Sequence, residues 1–332
     1  MVNHLAINIK AISCAVPKRQ LTLEEYAPEL FTEKSAKRMA RSTGFNKLRI
    51  TDDNTTTADL CVAAASELFK DIDIKTVGAI VFVTQTPDYV LPATSHILQE
   101  RLGLNNDVIC LDINEGCAGY TTGIYVAGML ANQLKKCVCI AGGDTISKLT
   151  LPNDRATRAI FGDAGTITII EPQGSLIPFS FASYGERYDS IIVENSRHRL
   201  VAEPKNGGSL YLDGVGIMNF TLNEVPQLIA EILNAEGLAA TDISLYACHQ
   251  ANKMILQSLA TKIGVPIDKV PFTADLSGNE SSASIPMVLS AMQEADLSRV
   301  LCIGFGVGLA IGAFIYDFSA TKFYGVVEYE QG

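Results

Sequence analysis

Apolar and polar positions fall into two kinds of run along this chain, and the two kinds alternate. Positions 56–70 place apolar residues at the three- and four-residue spacing of one helix face. A nearly unbroken apolar run follows at 77–86, VGAIVFVTQT, as expected for a strand covered on both faces. The pattern then predicts a helix over 95–102, stopped by Gly103, and a strand VICLDIN from Val108. A small-residue turn around Cys117 comes next, then a helix running to Leu134 and a strand CVCIAGGDT from Cys137.

The same rhythm returns further along. A helix is expected over 222–234, a strand ISLYACHQ from Ile243, and a helix over 253–263 stopped by Gly264. A short apolar stretch KVPFTA starts at Lys269, a polar turn holds Asn279, a helical pattern covers 282–292, and VLCIGFGVG closes the series from Val300. Cys117 lies 14 residues after Gly103, and Asn279 lies 15 after Gly264. The two residues therefore occupy matching helix starts in two similar halves. A duplicated α/β architecture follows, with two sheets sandwiching helices. The boundary is placed at 172–183, where EPQGSLIPFS breaks the helical rhythm. This divides the chain into halves 1–172 and 173–332. Positions 187–206 are polar and irregular and read as a loop over the core.

Composition agrees with covered sheets: 48% of the 332 residues are hydrophobic and only 19% are charged. The net charge of −10 argues against nucleic-acid binding. The first ten residues lack a signal-peptide core, and no apolar run reaches membrane-spanning length. The eight cysteines sit mostly in strand-like stretches and read as buried free thiols. A reducing, cytoplasmic setting is the expectation. Cys137 and Cys139 have no second Cys or His pair at zinc-site spacing, so no metal is expected.

Cys117, in DINEGCAGYTTG, is placed between a strand end and a helix start, where the helix dipole favours thiolate. It reads either as a nucleophile or as one more buried thiol. His249 ends an apolar strand in ACHQAN, and Asn279 stands in LSGNESSASIP; each alone reads first as a structural residue, Asn279 as a helix cap or turn residue.

Together, the segments GCAG (116–119), IFGDAG (160–165), HQAN (249–252), GNESSASIP (278–286) and GFGVG (304–308) occur in one order. In these segments the chain resembles ketoacyl-acyl-carrier-protein synthase III and its relatives in the thiolase superfamily, over nearly its whole length. The resemblance implies a thiolase-like α-β-α-β-α sandwich. It also implies that Cys117 takes an acyl group from a thioester. His249 and Asn279 would then stabilise the enolate left when a malonyl thioester loses CO2. Backbone N–H groups of Cys117 and of Val307, after Gly306, would hold the acyl oxyanion. No resident cofactor is implied; coenzyme A or acyl-carrier thioesters are substrates, and the family pairs as homodimers. Leu91 matches a position that closes a dimer partner's acyl pocket, and Met218 a tunnel position. Asn252 lies in the His motif.

The chain also departs from that pattern. Arg38 falls where the coenzyme A-gripping Trp stands in relatives, and Ser42 where an Arg stands; Arg155 in NDRAT matches the other adenine-stacking Arg. Met254 replaces the carrier-docking Arg, with Lys253 beside it; Lys253, Lys262 and Lys269 form a candidate basic patch. Glu280 replaces a commoner Thr. Glu115, two residues before Cys117, reads as a salt-bridged loop residue, as a proton acceptor from an amine or hydroxyl, or as a carboxylate that opposes thiolate formation. An acyltransferase to an oxygen or nitrogen acceptor is the alternative within the fold. Degradative thiolase is disfavoured by the absence of a GHP-type motif. Hydroxymethylglutaryl-CoA synthase is disfavoured because its general-acid Glu lies far upstream of the Cys. A non-enzymatic binding module would have to keep the Cys, His and Asn motifs unused.

Overall fold

A computed structural model describes residues 1–330. Its first half contains β1 (Val2–Pro17), α1 (Glu33–Thr43), α2 (Thr57–Leu68), β2 (Val77–Val83) and α3 (Thr94–Arg101). These are followed by β3 (Ile109–Ile113), α4 (Gly119–Leu134), β4 (Cys137–Asp144) and β5 (Ala164–Pro172). The second half contains β6 (Ser175–Ser183), α5 (Gly214–Glu236), β7 (Leu245–Cys248) and α6 (Lys253–Ile263). It closes with α7 (Ser284–Ala291), β8 (Val300–Gly306), β9 (Ala310–Tyr316) and β10 (Lys322–Tyr329).

Strand pairing repeats between the halves. In the first, the order is β3-β2-β4-β5-β1, with β2 parallel to β3 and β4, and β5 antiparallel to β4 and β1. In the second it is β7-β8-β9-β6, with β7 parallel to β8, and β9 antiparallel to β8 and β6. β1 joins the two: Val2–Ile7 pair with β6, while later residues pair with β5 and β10.

The helices complete five layers. α4 and α7 lie between the two halves of the ten-stranded sheet, α2 and α3 cover the first half outside, and α5 and α6 cover the second. The middle layer packs Val81, Val83, Tyr120, Ile124, Ile285 and Cys302, all buried. Every residue of β2, β4 and β8 is buried, which explains their continuous apolar runs. Small residues let α4 sit close to its sheet. A Cβ on Gly119 or Gly123 would come within 2.5 or 2.8 Å of the Val83 methyl groups. β3 is an edge, and its Ile109 and Leu111 are exposed.

Two segments take a definite form here, and one expectation, the start of the helix over 222–234, is corrected. KVPFTA forms no strand: Pro271 has no N–H for a ladder, and the Gln250 amide serves the segment instead. Gln250 accepts from the Thr273 N–H at 2.9 Å and donates to the Pro271 carbonyl at 3.2 Å. The stretch at 172–183 is mostly strand β6, since Gln173 and Gly174 make the turn and Pro178 is tolerated in extended chain. α5 starts at Gly214, eight residues earlier than the periodicity suggested, capped by the Asp213 side chain.

Candidate active site

Cys117 stands in the turn between β3 and α4, directly before the helix start. Two glycines of β8 press against it. A Cβ on Gly306 would lie 2.8 Å from the Cys117 Cβ and 3.1 Å from Sγ, and one on Gly304 would lie 2.5 Å from its carbonyl oxygen. GFGVG therefore reads as close approach to the nucleophile. Burial pushes the Cys117 thiol up, to about 12. The Ser281 hydroxyl, 3.9 Å from Sγ, and the backbone N–H groups of Cys117 and Val307 pull the other way. The positive end of α4 adds to that pull. The helix start favours thiolate, but enclosure of the sulfur is the larger effect.

His249 follows the end of β7, its N–H bonded to the Ile303 carbonyl at 2.9 Å. Its ring meets Phe305 edge to face at 5.4 Å between centroids. Burial lowers the imidazole to about 4, so the ring is neutral at physiological pH, and Nδ1 has no partner among the described residues. Asn279 is pinned through its backbone: its N–H donates to the Ile160 carbonyl at 2.9 Å and its carbonyl accepts from Gly162 at 3.1 Å. Its Oδ1 accepts the Ser281 N–H at 2.9 Å, which leaves the NH2 as the free donor. IFGDAG and the Asn motif are thus two sides of one contact.

Sequence reasoning missed Ser281, Asp144 and Gln85. Ser281 touches both Asn279 and Cys117 from a left-handed backbone, φ +51°. Asp144 is fully buried and accepts from the Thr84 hydroxyl (3.0 Å), the Gln85 N–H (2.6 Å) and the Ser282 hydroxyl (3.1 Å). It ties the β2 end to the Asn279 loop across the two halves. Only the second serine after Asn279 hinted at this, and a serine at a helix start has many uses.

Cys117, His249, Asn279, Asn252, Gly306 and Val307 line one chamber of about 140 Å³. Its remaining wall is largely apolar, including Phe161, Leu210, Ile217 and Phe305. Asn252 also caps α6, accepting the Ile255 N–H at 2.8 Å. The other expected contacts lie outside the chamber. Ile217 of α5 faces it, whereas Met218, one residue on, is partly exposed. Arg38 is exposed on α1 and Lys253 is exposed at the start of α6. Arg155 is exposed, with its guanidinium 4.6 Å over the Phe31 ring and Nη1 donating to the Leu30 carbonyl at 2.8 Å. Leu91 is 79% exposed and far enough out to line neither this chamber nor the larger cavity beside it. Lys269 leaves the basic patch: its Nζ donates to the Thr241 and Ile243 carbonyls at 2.8 and 2.6 Å. Glu115 has no basic partner among the described residues; burial raises its carboxyl, and a hydrogen bond with Thr122 partly offsets this.

All eight cysteines are unpaired, and seven are buried; Cys110, on the exposed edge strand, is the exception. Cys14, Cys61, Cys139, Cys248 and Cys302 are wholly enclosed, whereas Cys117 opens on a cavity. Cys117 is therefore expected to outpace those five in alkylation. Thiolate is the reacting form, and burial holds the thiol high, so the rate should climb steadily with pH up to at least about 9. Peptide mapping after brief iodoacetamide treatment checks both points. A rate that levels off near neutrality, or preferential labelling of an enclosed cysteine, contradicts them.

Fold and site together give a layered α/β sandwich in which Cys117, His249 and Asn279 line one chamber. Residues 111–185 match the model of 3-oxoacyl-[acyl-carrier-protein] synthase III, and residues 233–318 match that of its C-terminal part. A beta-ketoacyl-[acyl-carrier-protein] synthase III 2 of Halalkalibacterium halodurans is 30% identical over 318 residues, covering 92% of this chain and 95% of that protein. The namesake of Staphylococcus epidermidis is 30% identical over 313 residues, covering 91% and 95%. The crystal structure of a 3-oxoacyl-(acyl-carrier protein) synthase from Burkholderia xenovorans superposes with a TM-score of 0.93 at 31% identity, covering 99% of both chains. This chain belongs to the 3-oxoacyl-[acyl-carrier-protein] synthase III family of the thiolase fold. No helix among the described residues is long and apolar enough to cross a membrane.

Proposed function

We propose that this chain forms 3-oxoacyl thioesters by decarboxylative Claisen condensation. Cys117 displaces the thiol of a donor thioester and becomes acylated, with the N–H groups of Cys117 and Val307 holding the carbonyl oxygen. A malonyl thioester then binds, with malonyl-acyl carrier protein as the natural form. The NH2 of Asn279 and the neutral ring of His249 stabilise the enolate as CO2 leaves. The nucleophilic carbon attacks acyl-Cys117, and the thiol is released. The observation that carries this reading is the convergence of Cys117, His249 and the oriented Asn279 amide on one chamber. Two neutral donors suit an oxyanion that exists only transiently. The reaction needs no resident cofactor.

The starter thioester comes from coenzyme A or from an acyl carrier protein. One face of the Arg155 guanidinium already lies on Phe31, and by the resemblance Arg38 stands where relatives carry an aromatic ring, which favours carrier delivery. Intact mass after incubation with matched acyl-CoA and acyl-carrier thioesters tests this. Faster acylation from the carrier, lost in Cys117→Ser, supports it; equal or faster acylation from coenzyme A refutes the carrier preference.

The division at 172/173, with the nucleophile in one half and His249 and Asn279 in the other, is part of this reading. Eight unpaired thiols fit a cytoplasmic setting. A homodimer through β3 is expected, because an edge strand with exposed Ile109 and Leu111 invites pairing, and Tyr89, Val90 and Leu91 are exposed as well. Light scattering should give twice the chain mass at micromolar concentration, and Leu111→Lys should lower it; a monomeric wild type contradicts the expectation.

A further inference from the structure

Beside the Cys117 chamber lies a larger cavity of about 660 Å³. Five residues line both: Gln85, Ile146, Ile191, Leu210 and Val307. Four are apolar, so Gln85 is the single polar side chain at the junction. Its backbone is fixed by the 2.6 Å hydrogen bond to Asp144. Its carboxamide is packed over Gly116, the residue before the nucleophile; a Cβ there would come within 2.1 Å of Oε1. That carboxamide makes no hydrogen bond to another described residue. The other carboxamides of the chamber are held, Asn279 by Ser281 and Asn252 by Ile255. Gln85 is half-buried and its amide opens on the cavities, so an acyl chain filling the junction strips it of water, which is costly unless that chain supplies a hydrogen bond. Beyond it the larger cavity offers Thr56, Thr86, Asn114 and Thr145 on its walls, and its outer end is formed by exposed Tyr89 and Val90.

From this arrangement we infer that Gln85 selects acyl groups bearing a hydroxyl, oxo or amide substituent within the first few carbons from the thioester. The inference rests on the acyl-Cys117 reading above. The carboxamide both donates and accepts, so either a hydroxyl or a carbonyl oxygen satisfies it. The rest of the acyl chain passes into the larger cavity. A plain alkyl group reaching the junction leaves the amide desolvated and unpaired. A site built for a hydrogen bond discriminates strongly against an analogue that lacks it.

The test is a competition between hexanoyl and 3-hydroxyhexanoyl thioesters on the same pantetheine carrier, read by intact mass and peptide mapping of Cys117. Wild type should acylate faster with the hydroxylated group by at least about tenfold. Gln85→Leu and Gln85→Met, close in size to the amide, should bring the ratio near one. A wild type that prefers hexanoyl overturns the inference without any variant. So does a ratio unchanged in both variants, or an equal slowing of both thioesters, which would mean that Gln85 acts on the thioester itself. These outcomes leave acyl-Cys117 intact as an intermediate. Absence of any adduct on Cys117 with either thioester sinks the inference and the acyl-enzyme reading together.

Discussion

His249→Ala and Asn279→Ala each leave acylation of Cys117 running and slow condensation by a factor on the order of 10²–10³. Acylation uses the sulfur and two backbone N–H groups, and neither substitution removes these. The enolate oxygen depends on two side-chain donors. Asn279 presents its NH2 because Ser281 occupies Oδ1, and His249 is neutral because burial lowers it to about 4. A neutral His has a further consequence: the condensation rate should show no inflection from imidazole between pH 5.5 and 8. If the two residues act on one oxyanion, the double variant should lose less than the product of the single losses. Intact mass follows acylation, and CO2 release follows the second step. Variants that fail to acylate yet decarboxylate malonyl thioester at the normal rate contradict these roles.

Glu280→Gln stabilises the fold at alkaline pH. Glu280 is 1% exposed, Ser277 donates to one carboxylate oxygen, and Oε2 has no partner among the described residues. Burial raises its carboxyl to about 7, from an ordinary value of 4.5. The folded chain therefore holds a proton there that the unfolded chain gives up, and stability falls as pH rises from about 4.5 through about 7. The loss is roughly 3 kcal/mol once both states are ionised. Glutamine keeps the shape and the acceptor and cannot ionise. Urea unfolding at pH 5.5 and 8.5 should show wild type weaker at the higher pH, with most of that difference removed in Glu280→Gln. An equal pH response in both proteins contradicts this account. The effect also reaches the active site, because Glu280 follows Asn279 directly.

Much of this was legible in the sequence because it is local. Strands covered on both faces announce themselves as apolar runs, and α6 falls on its expected positions because Asn252 and Gly264 cap both ends. The matching places of Cys117 and Asn279 followed from counting turns. What stayed hidden depends on distant partners. β1 mixes polar and apolar residues because its first part pairs with β6 and its later part with β5 and β10. The first turns of α5 lack a clear stripe because Gly214 and Ile217 face the chamber rather than the core. Lys269 reads as a solvated charge until the carbonyls of Thr241 and Ile243 converge on it. No sequence pattern marks the φ of Ser281, which holds Asn279 in place.

The central claim is that acyl-Cys117 is consumed by a carbon nucleophile made by decarboxylation. The most direct measurement loads the protein with an acyl thioester, removes the excess, and adds malonyl-acyl carrier protein carrying an isotopic label in the free carboxyl. The account predicts labelled CO2 and 3-oxoacyl-acyl carrier protein in equal amounts as the acyl mass leaves Cys117. Loss of the acyl group to an oxygen or nitrogen acceptor, with malonyl-acyl carrier protein left intact and no labelled CO2, would contradict it.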